Sequence, residues 1–304
     1  MNVTPESRIC VLGLGSMGLG MAGSLLGKGF SVAGFDPNPV AMERFSELGG
    51  QTATDPATAA RGADVVICVV VNAAQTEAAL FGPEGAVQSM APGGTVISCA
   101  TMAPDAAREL GARCGEMGFG YLDAPISGGA ARAASGELTI MASGAPELFV
   151  GLRPVLDAIA AKVYELGAEP GIGAAFKVVN QLLAGVHIAA ACEAITFAKA
   201  MDLDISKVYE VISASAGNSW MFENRVPHIL EGDYTPRSAV NIFTKDLGIV
   251  ADIGRGLDFP TPIAATALQM FVMTAASGMG RDDDASVARM IARIAGLELP
   301  GMEH

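Results

Sequence analysis

The chain has 304 residues, 51% of them hydrophobic and 17% charged, and its 19 basic and 32 acidic side chains give a net charge of −13. That length holds two domains of ordinary size, and so apolar a composition excludes a largely disordered chain. The acidic balance, with no Lys/Arg cluster and no basic-aromatic stripe, excludes nucleic acid as an expected partner.

The first predicted element is a strand at 9–12, within Arg8-Ile-Cys-Val-Leu-Gly-Leu-Gly-Ser-Met-Gly18, and a helix-like stretch follows it. This is a dinucleotide-binding opening: Gly13 allows the tight turn, Gly15 lets the backbone approach a pyrophosphate, and Gly18 lets the helix pack on the sheet. Leu14, Ser16 and Met17 complete the loop, and the anion would sit on the helix N-terminus. A glycine-rich turn alone is a weak signal. A second strand, 31–35, strengthens it by ending in Asp36, at the spacing where a carboxylate accepts hydrogen bonds from the adenosine ribose. Asp36 also repels a 2′-phosphate, and Pro37 and Asn38 bring no cation to neutralise one, so NAD is expected over NADP.

Further apolar runs at 65–71, 95–99, 121–123, 138–143 and 162–165 alternate with amphipathic segments, which predicts a parallel, doubly wound sheet. Ligand contacts belong on the loops at the strands' carboxyl ends: 13–18, 36–38, 71–75, 100–101 and 124–129. After Glu165 the pattern changes. Gly167-Ala-Glu-Pro-Gly-Ile-Gly173 precedes a helical run at 174–201, which spans roughly 40 Å at 1.5 Å per residue. More helices are expected at 206–215, 244–256, 262–277 and 286–295. The predicted architecture is an α/β Rossmann domain over 1–166 and an all-α domain over 167–304, joined by the long interdomain helix.

Within that helix, 182–198 carries His187 and Glu193, too much polarity for a spanning segment. No basic n-region precedes an apolar h-region at the N-terminus, so the expected location is the cytoplasm and no membrane partner is expected. The five cysteines are odd in number and widely spaced in apolar runs. They fit neither a disulfide framework nor a zinc motif and read as reduced core thiols. Asp282-Asp283-Asp284 reads as the cap of the last helix rather than a metal site, and no metal is expected.

Lys177, Asn180, Gln181 and Ala184 lie at i, i+3, i+4 and i+7, on one face of the long helix. Spacing alone favours a solvated face with a snorkelling lysine. Chemistry asks for a base, because an alcohol that gives a hydride to NAD⁺ must lose its hydroxyl proton. His187, His228 and His304 are the rivals to Lys177. His187 is roughly 80° off the Lys177 face, His228 follows a Pro in a predicted turn, and His304 ends the chain, so each reads as structural.

Together these residues resemble the β-hydroxyacid dehydrogenase family, the group of 3-hydroxyisobutyrate dehydrogenase and tartronate semialdehyde reductase. Four motifs carry the resemblance in the family's order: Gly13-Leu-Gly-Ser-Met-Gly18, Asp123-Ala-Pro-Ile-Ser-Gly-Gly129, Gly173-Ala-Ala-Phe-Lys177-Val-Val-Asn180 and Lys245-Asp-Leu247. The resemblance implies that Lys177 accepts the proton in oxidation, that Ser127 with the Gly128 and Gly129 amides holds a substrate carboxylate, and that Asn180 orients the substrate. It places Thr101 beside the nicotinamide, Lys245 over the cofactor, and Val71, Asn72 and Gln75 on the adenosine side. Where the family often has Asp-x-Ser-Thr, this chain reads Ser98-Cys-Ala-Thr101, a departure from enzymes of the common β-hydroxyacids. Four segments, 71–75, 180–188, 216–225 and 232–236, resemble members that oxidise the C2 hydroxyl of a four-carbon sugar acid. Asn180, Gln181, Asn218 and Ser219 would bind its hydroxyls, and Trp220 and Phe222 would wall the pocket. A homodimer or homotetramer is implied as well, consistent with the apolar stripe of the long helix. A non-catalytic NAD-binding module is the reading from a different class, and Lys177 argues against it.

Overall fold

The computed structural model describes residues 3, 4 and 6–302, and the chain packs as two units that divide between Lys177 and Val178. In the first unit, six strands among the described residues, β1 (Arg8–Leu12), β2 (Ser31–Phe35), β3 (Gln51–Thr52), β4 (Val65–Cys68), β5 (Thr95–Ser98) and β6 (Gly120–Asp123), form a parallel sheet. Their order is β3-β2-β1-β4-β5-β6, the doubly wound arrangement, whose strand order reverses beside β1 and β4. Helices α1 (Ser16–Gly27), α2 (Pro39–Glu47), α3 (Pro56–Ala59), α4 (Ala73–Phe81) and α5 (Pro104–Glu116) make the crossovers.

The central strands carry near-continuous apolar runs, 9–12, 65–68 and 96–97, because both faces of the sheet are covered. Ile9, Val11, Val65, Ile67, Ile97 and Leu122 enter one core, and Cys10, Leu12, Val66, Cys68, Val96 and Tyr121 enter the other. The alternation follows the two-residue period of a strand. Full burial of each Ile or Val contributes roughly 1.5–3 kcal/mol. The cysteines are buried and free, and desolvation pushes the Cys68 and Cys114 thiols up to about 12.

The expectation of a single sheet is corrected. The runs at 138–143 and 162–165 belong to a separate three-stranded sheet, β7 (Ile126–Ser127), β8 (Leu138–Ala142) and β9 (Ala160–Glu165), with α6 (Gly129–Ser135) and α7 (Pro146–Ile159) between its strands. β7 runs antiparallel to β8, pairing Ile126 with Ile140 and Ser127 with Thr139, while β9 runs parallel to β8. Neither β3 nor β7 is expected from sequence, since two residues carry no readable period. The run at 65–71 stops as a strand at Cys68. Val69 N–H still donates to Leu12 O at 2.7 Å, but its neighbour strand then turns at Gly13 and leaves no further ladder.

α8 (Ile172–Ala200) begins in the first unit and continues into the second. The second unit adds α9 (Ile205–Ser213), α10 (Trp220–Glu231), α11 (Val240–Gly256), α12 (Pro262–Thr274) and α13 (Val287–Ala295). Its core gathers Ile188, Cys192 and Ile195 of α8 with Val226, Ile229, Phe243, Leu247, Phe271 and Ala288. Among the described residues, α8 and the run Pro262–Met279 are long and apolar enough to cross a membrane, and half of the apolar window of α8 is buried against protein. α10 is a further correction: it holds Pro227 and His228 inside a helix where sequence suggested a turn.

Candidate active site

The carboxyl ends of β1, β2, β4, β5 and β6 bring five loops to one edge of the first unit's sheet, because parallel neighbouring strands all end there. At Gly13, φ is +89°, and a Cβ would lie 2.5 Å from Val69 O. A Cβ on Gly18 would lie 1.9 Å from Gly13 O, so the turn and α1 touch backbone to backbone. Gly15 has no atom within 4 Å of such a Cβ, and no side chain caps the start of α1. Open space beside uncapped N–H groups fits a pyrophosphate.

Asp36 follows β2 and reaches back to that turn. Its Oδ2 accepts Leu14 N–H and its Oδ1 accepts Asn38 N–H, both at 2.8 Å. These bonds hold the carboxylate in place, and each oxygen keeps a lone pair for a ribose hydroxyl. Pro37, next in the chain, offers no N–H. After β4, Gln75 Oε1 accepts Val71 N–H at 3.0 Å and Asn72 Oδ1 accepts Gln75 N–H at 2.8 Å. This reciprocal cap fixes the loop that opens α4. Thr101 lies half-buried beyond β5.

Beyond β6, Ser127 ends β7, and Gly128 and Gly129 follow with φ of +138° and +77°, a region that favours glycine. Lys177 is brought to this loop: its Nζ donates to Ile126 O at 2.8 Å, and the residue is only 7% exposed. The solvated-face reading of Lys177 is therefore overturned, because α8 starts packed against the loop rather than lying free in solvent.

In the second unit a polar chain links three of the expected residues. Asn180 Nδ2 donates to Gln181 Oε1 at 2.9 Å, Gln181 Nε2 donates to Asp246 Oδ2, and Lys245 Nζ lies 2.7 Å from Asp246 Oδ1. Asp246 is the member that sequence reasoning missed. The signal was present, since Phe243, Asp246, Leu247 and Val250 form the buried stripe of α11, and an acid on an apolar stripe demands a partner.

Asn218 and Ser219 are not brought into that chain. Ser219 Oγ accepts Phe222 N–H at 3.0 Å as the cap of α10, and Asn218 Nδ2 donates to Ser213 O and Glu223 Oε1. Both line an apolar groove of about 920 Å³ with His187, Phe197, Val208 and Phe222. Trp220 is half-exposed.

His228 has a structural post within α10. Its Nε2 faces the Arg237 guanidinium at 2.8 Å and so must accept, which leaves Nδ1–H to donate to Asp283 Oδ1 at 2.8 Å. His304 lies outside the described residues. Asp283 also caps the turn before α13, accepting Ala285 N–H. Asp284 pairs with Arg225, and Asp282 with Arg289. Among the described residues no group of three or more His, Cys, Asp or Glu could hold a metal ion.

A family profile described as the NAD-binding domain of 6-phosphogluconate dehydrogenase matches residues 8–167. A second, described as the NAD-binding domain of NADP-dependent 3-hydroxyisobutyrate dehydrogenase, matches residues 171–291. The chain is 54% identical to an L-threonate dehydrogenase of Cupriavidus necator over 96% of its own length and 98% of that protein. It is 46% identical to the L-threonate dehydrogenase of Escherichia coli K12, with 99% of each chain covered. Among solved structures, a 3-hydroxyisobutyrate dehydrogenase from Salmonella typhimurium superposes with a TM-score of 0.90 at 45% identity, covering 94% of this chain and 100% of that one.

Proposed function

The chain belongs to the β-hydroxyacid dehydrogenase family, NAD-dependent oxidoreductases of hydroxy acids, and on that premise we propose that it oxidises the C2 hydroxyl of L-threonate to 2-dehydro-L-erythronate. The observation that carries the proposal is Lys177, buried and held by Ile126 O beside Ser127, Gly128 and Gly129. The names of the two relatives supply the substrate.

Bound NAD⁺ would supply the hydride acceptor, held by Gly13, Leu14, Gly15, Ser16, Met17 and Gly18, by Asp36 and Pro37, and by Val71, Asn72, Gln75, Thr101 and Lys245. The Asp36 carboxylate favours two ribose hydroxyls over a 2′-phosphate, so NAD is preferred to NADP. Ser127 Oγ and the amides of Gly128 and Gly129 bind the substrate carboxylate, since successive glycines can aim N–H groups at an anion. Asn180 binds a substrate hydroxyl, and Gln181 holds the Asn180 amide in orientation. Lys177 takes the C2 hydroxyl proton as the C2 hydride leaves, and Ile126 O holds the resulting ammonium.

Oxidation of 3-hydroxyisobutyrate is the second reading, favoured by the name of the Salmonella structure. The test is NADH formation from L-threonate, D-erythronate, D-glycerate and 3-hydroxyisobutyrate, with NADP⁺ in parallel. Turnover confined to L-threonate with NAD⁺ is expected, while turnover only of 3-hydroxyisobutyrate would install the second reading. Exposed Phe197, Met201 and Val211 along the apolar groove support a homodimer or homotetramer, which light scattering after size exclusion would count.

A further inference from the structure

Asp123 closes β6 and is 1% exposed. Its Oδ2 accepts Gly171 N–H at 2.8 Å, Ala174 N–H at 2.9 Å and the Ser143 hydroxyl at 3.3 Å. Ser143 Oγ in turn accepts Gly173 N–H at 2.9 Å. The amides that the start of α8 leaves without intrahelical acceptors thus converge on one carboxylate and one hydroxyl. The approach is close, since a Cβ on Gly173 would lie 2.4 Å from Met141 O and 2.9 Å from Asp123 O. Asp123 is itself clamped, its backbone exchanging hydrogen bonds of 3.0 and 2.8 Å with Ser143.

Lys177 stands three residues beyond Ala174, and Ile126 stands three residues beyond Asp123. One short segment therefore grips α8 twice, by the Asp123 carboxylate at the helix amides and by the Ile126 carbonyl at Lys177 Nζ. We propose that Asp123, acting with Ser143, is the positioning residue for Lys177: it sets the rotation and height of the first turn of α8 and so places Nζ against Ser127, Gly128 and Gly129. The role rests on reading Lys177 as the proton acceptor. A lysine side chain has four flexible methylenes, so its placement depends on where its helix starts and where its Nζ is tied. Burial pushes the Asp123 carboxyl above its usual range, a desolvation cost that the Ala174 and Gly171 amides reduce but do not cancel.

The test compares D123A, S143A and K177A in the full chain, with NAD⁺ and whichever hydroxy acid of the panel turns over fastest. Misplacing a reacting group by about 1 Å costs on the order of 10²-fold in rate. Turnover is accordingly expected to fall about 100-fold in D123A and about 10-fold in S143A, with NADH affinity, read by fluorescence, within about twofold of wild type. The limb of the pH profile of kcat/KM that reports the proton acceptor is expected to move by at least about half a pH unit. A merely structural role would lower yield or Tm and leave that limb in place. S143A removes a single hydroxyl and carries the test if D123A does not fold. A wild-type limb in S143A overturns the proposal, whether or not turnover falls. Wild-type turnover in K177A would instead remove the premise about Lys177.

Discussion

Lys177 Nζ donates to the main-chain oxygen of Ile126 at 2.8 Å, across 51 residues of chain. A carbonyl accepts without carrying charge, so it can hold the ammonium form without itself taking the proton. In K177A the turnover of every hydroxy acid is expected to fall by about 10³-fold, a loss within the 10²–10⁴-fold range of general-base removal. NADH binding followed by fluorescence should stay within a few-fold, because the Asp36 carboxylate is held by Leu14 and Asn38 N–H and not by Lys177.

Asp36 predicts cofactor choice. Its carboxylate is held by Leu14 and Asn38 N–H and has no cation in the Asp36-Pro-Asn38 turn. Losing charged hydrogen bonds worth roughly 1.5–3 kcal/mol should raise the KM for NAD about 10- to 100-fold in D36A. The ratio of kcat/KM for NAD to that for NADP should fall in parallel. An unchanged ratio would deny Asp36 its discriminating role.

Asp246 joins Gln181 to Lys245, and its removal leaves a buried amide and a cation without their shared acceptor. D246N is expected to lower kcat/KM for the hydroxy acid by about 10- to 100-fold, since such losses cost about 1.5–3 kcal/mol. Parallel loss in Q181A, with the double variant no worse than D246N, would mark the two as one network. Full additivity would separate them.

Acid stability should report Asp283. Burial acts to raise its carboxyl, but the hydrogen bond from His228 and those from the Arg237 and Ala285 amides prevail and hold it below its unfolded value of 3.8. A depressed acid contributes stability that is complete above that unfolded value and is lost as pH falls through the folded one. Thermal melts should therefore show D283N several degrees below wild type from pH 7 to about pH 5, as expected when a buried pair is broken. The gap should narrow below about pH 4. A gap that widens on acidification would contradict the assignment.

Much of the first unit is legible residue by residue. The runs 9–12 and 31–35, the turn at Gly13 and the acid at Asp36 are local signals, each set by a strand's period or by the conformational freedom of glycine. The helices of the second unit are legible for the same reason, apart from α10, whose apolar face is interrupted by Pro227 and opened by the turn-like Gly217-Asn-Ser219. Its cap, Ser219, reads from sequence as a substrate ligand, while the capping bond that its hydroxyl accepts from Phe222 N–H is visible only in the fold.

The shared helix face of Lys177 and Asn180 is written in the chain, and the family resemblance singles out both of them and Lys245 before any fold is known. Their partners cannot be picked out in this way. Ile126 lies 51 residues from Lys177, Asp123 lies 48 from Gly171, and Asp246 lies 65 from Gln181. Such pairs follow from how β6, β7 and α8 pack in the first unit and α8 and α11 in the second. A buried charge is tolerated only when packing delivers its partner, and periodicity along a chain carries no information about which distant backbone amide or carbonyl will be delivered.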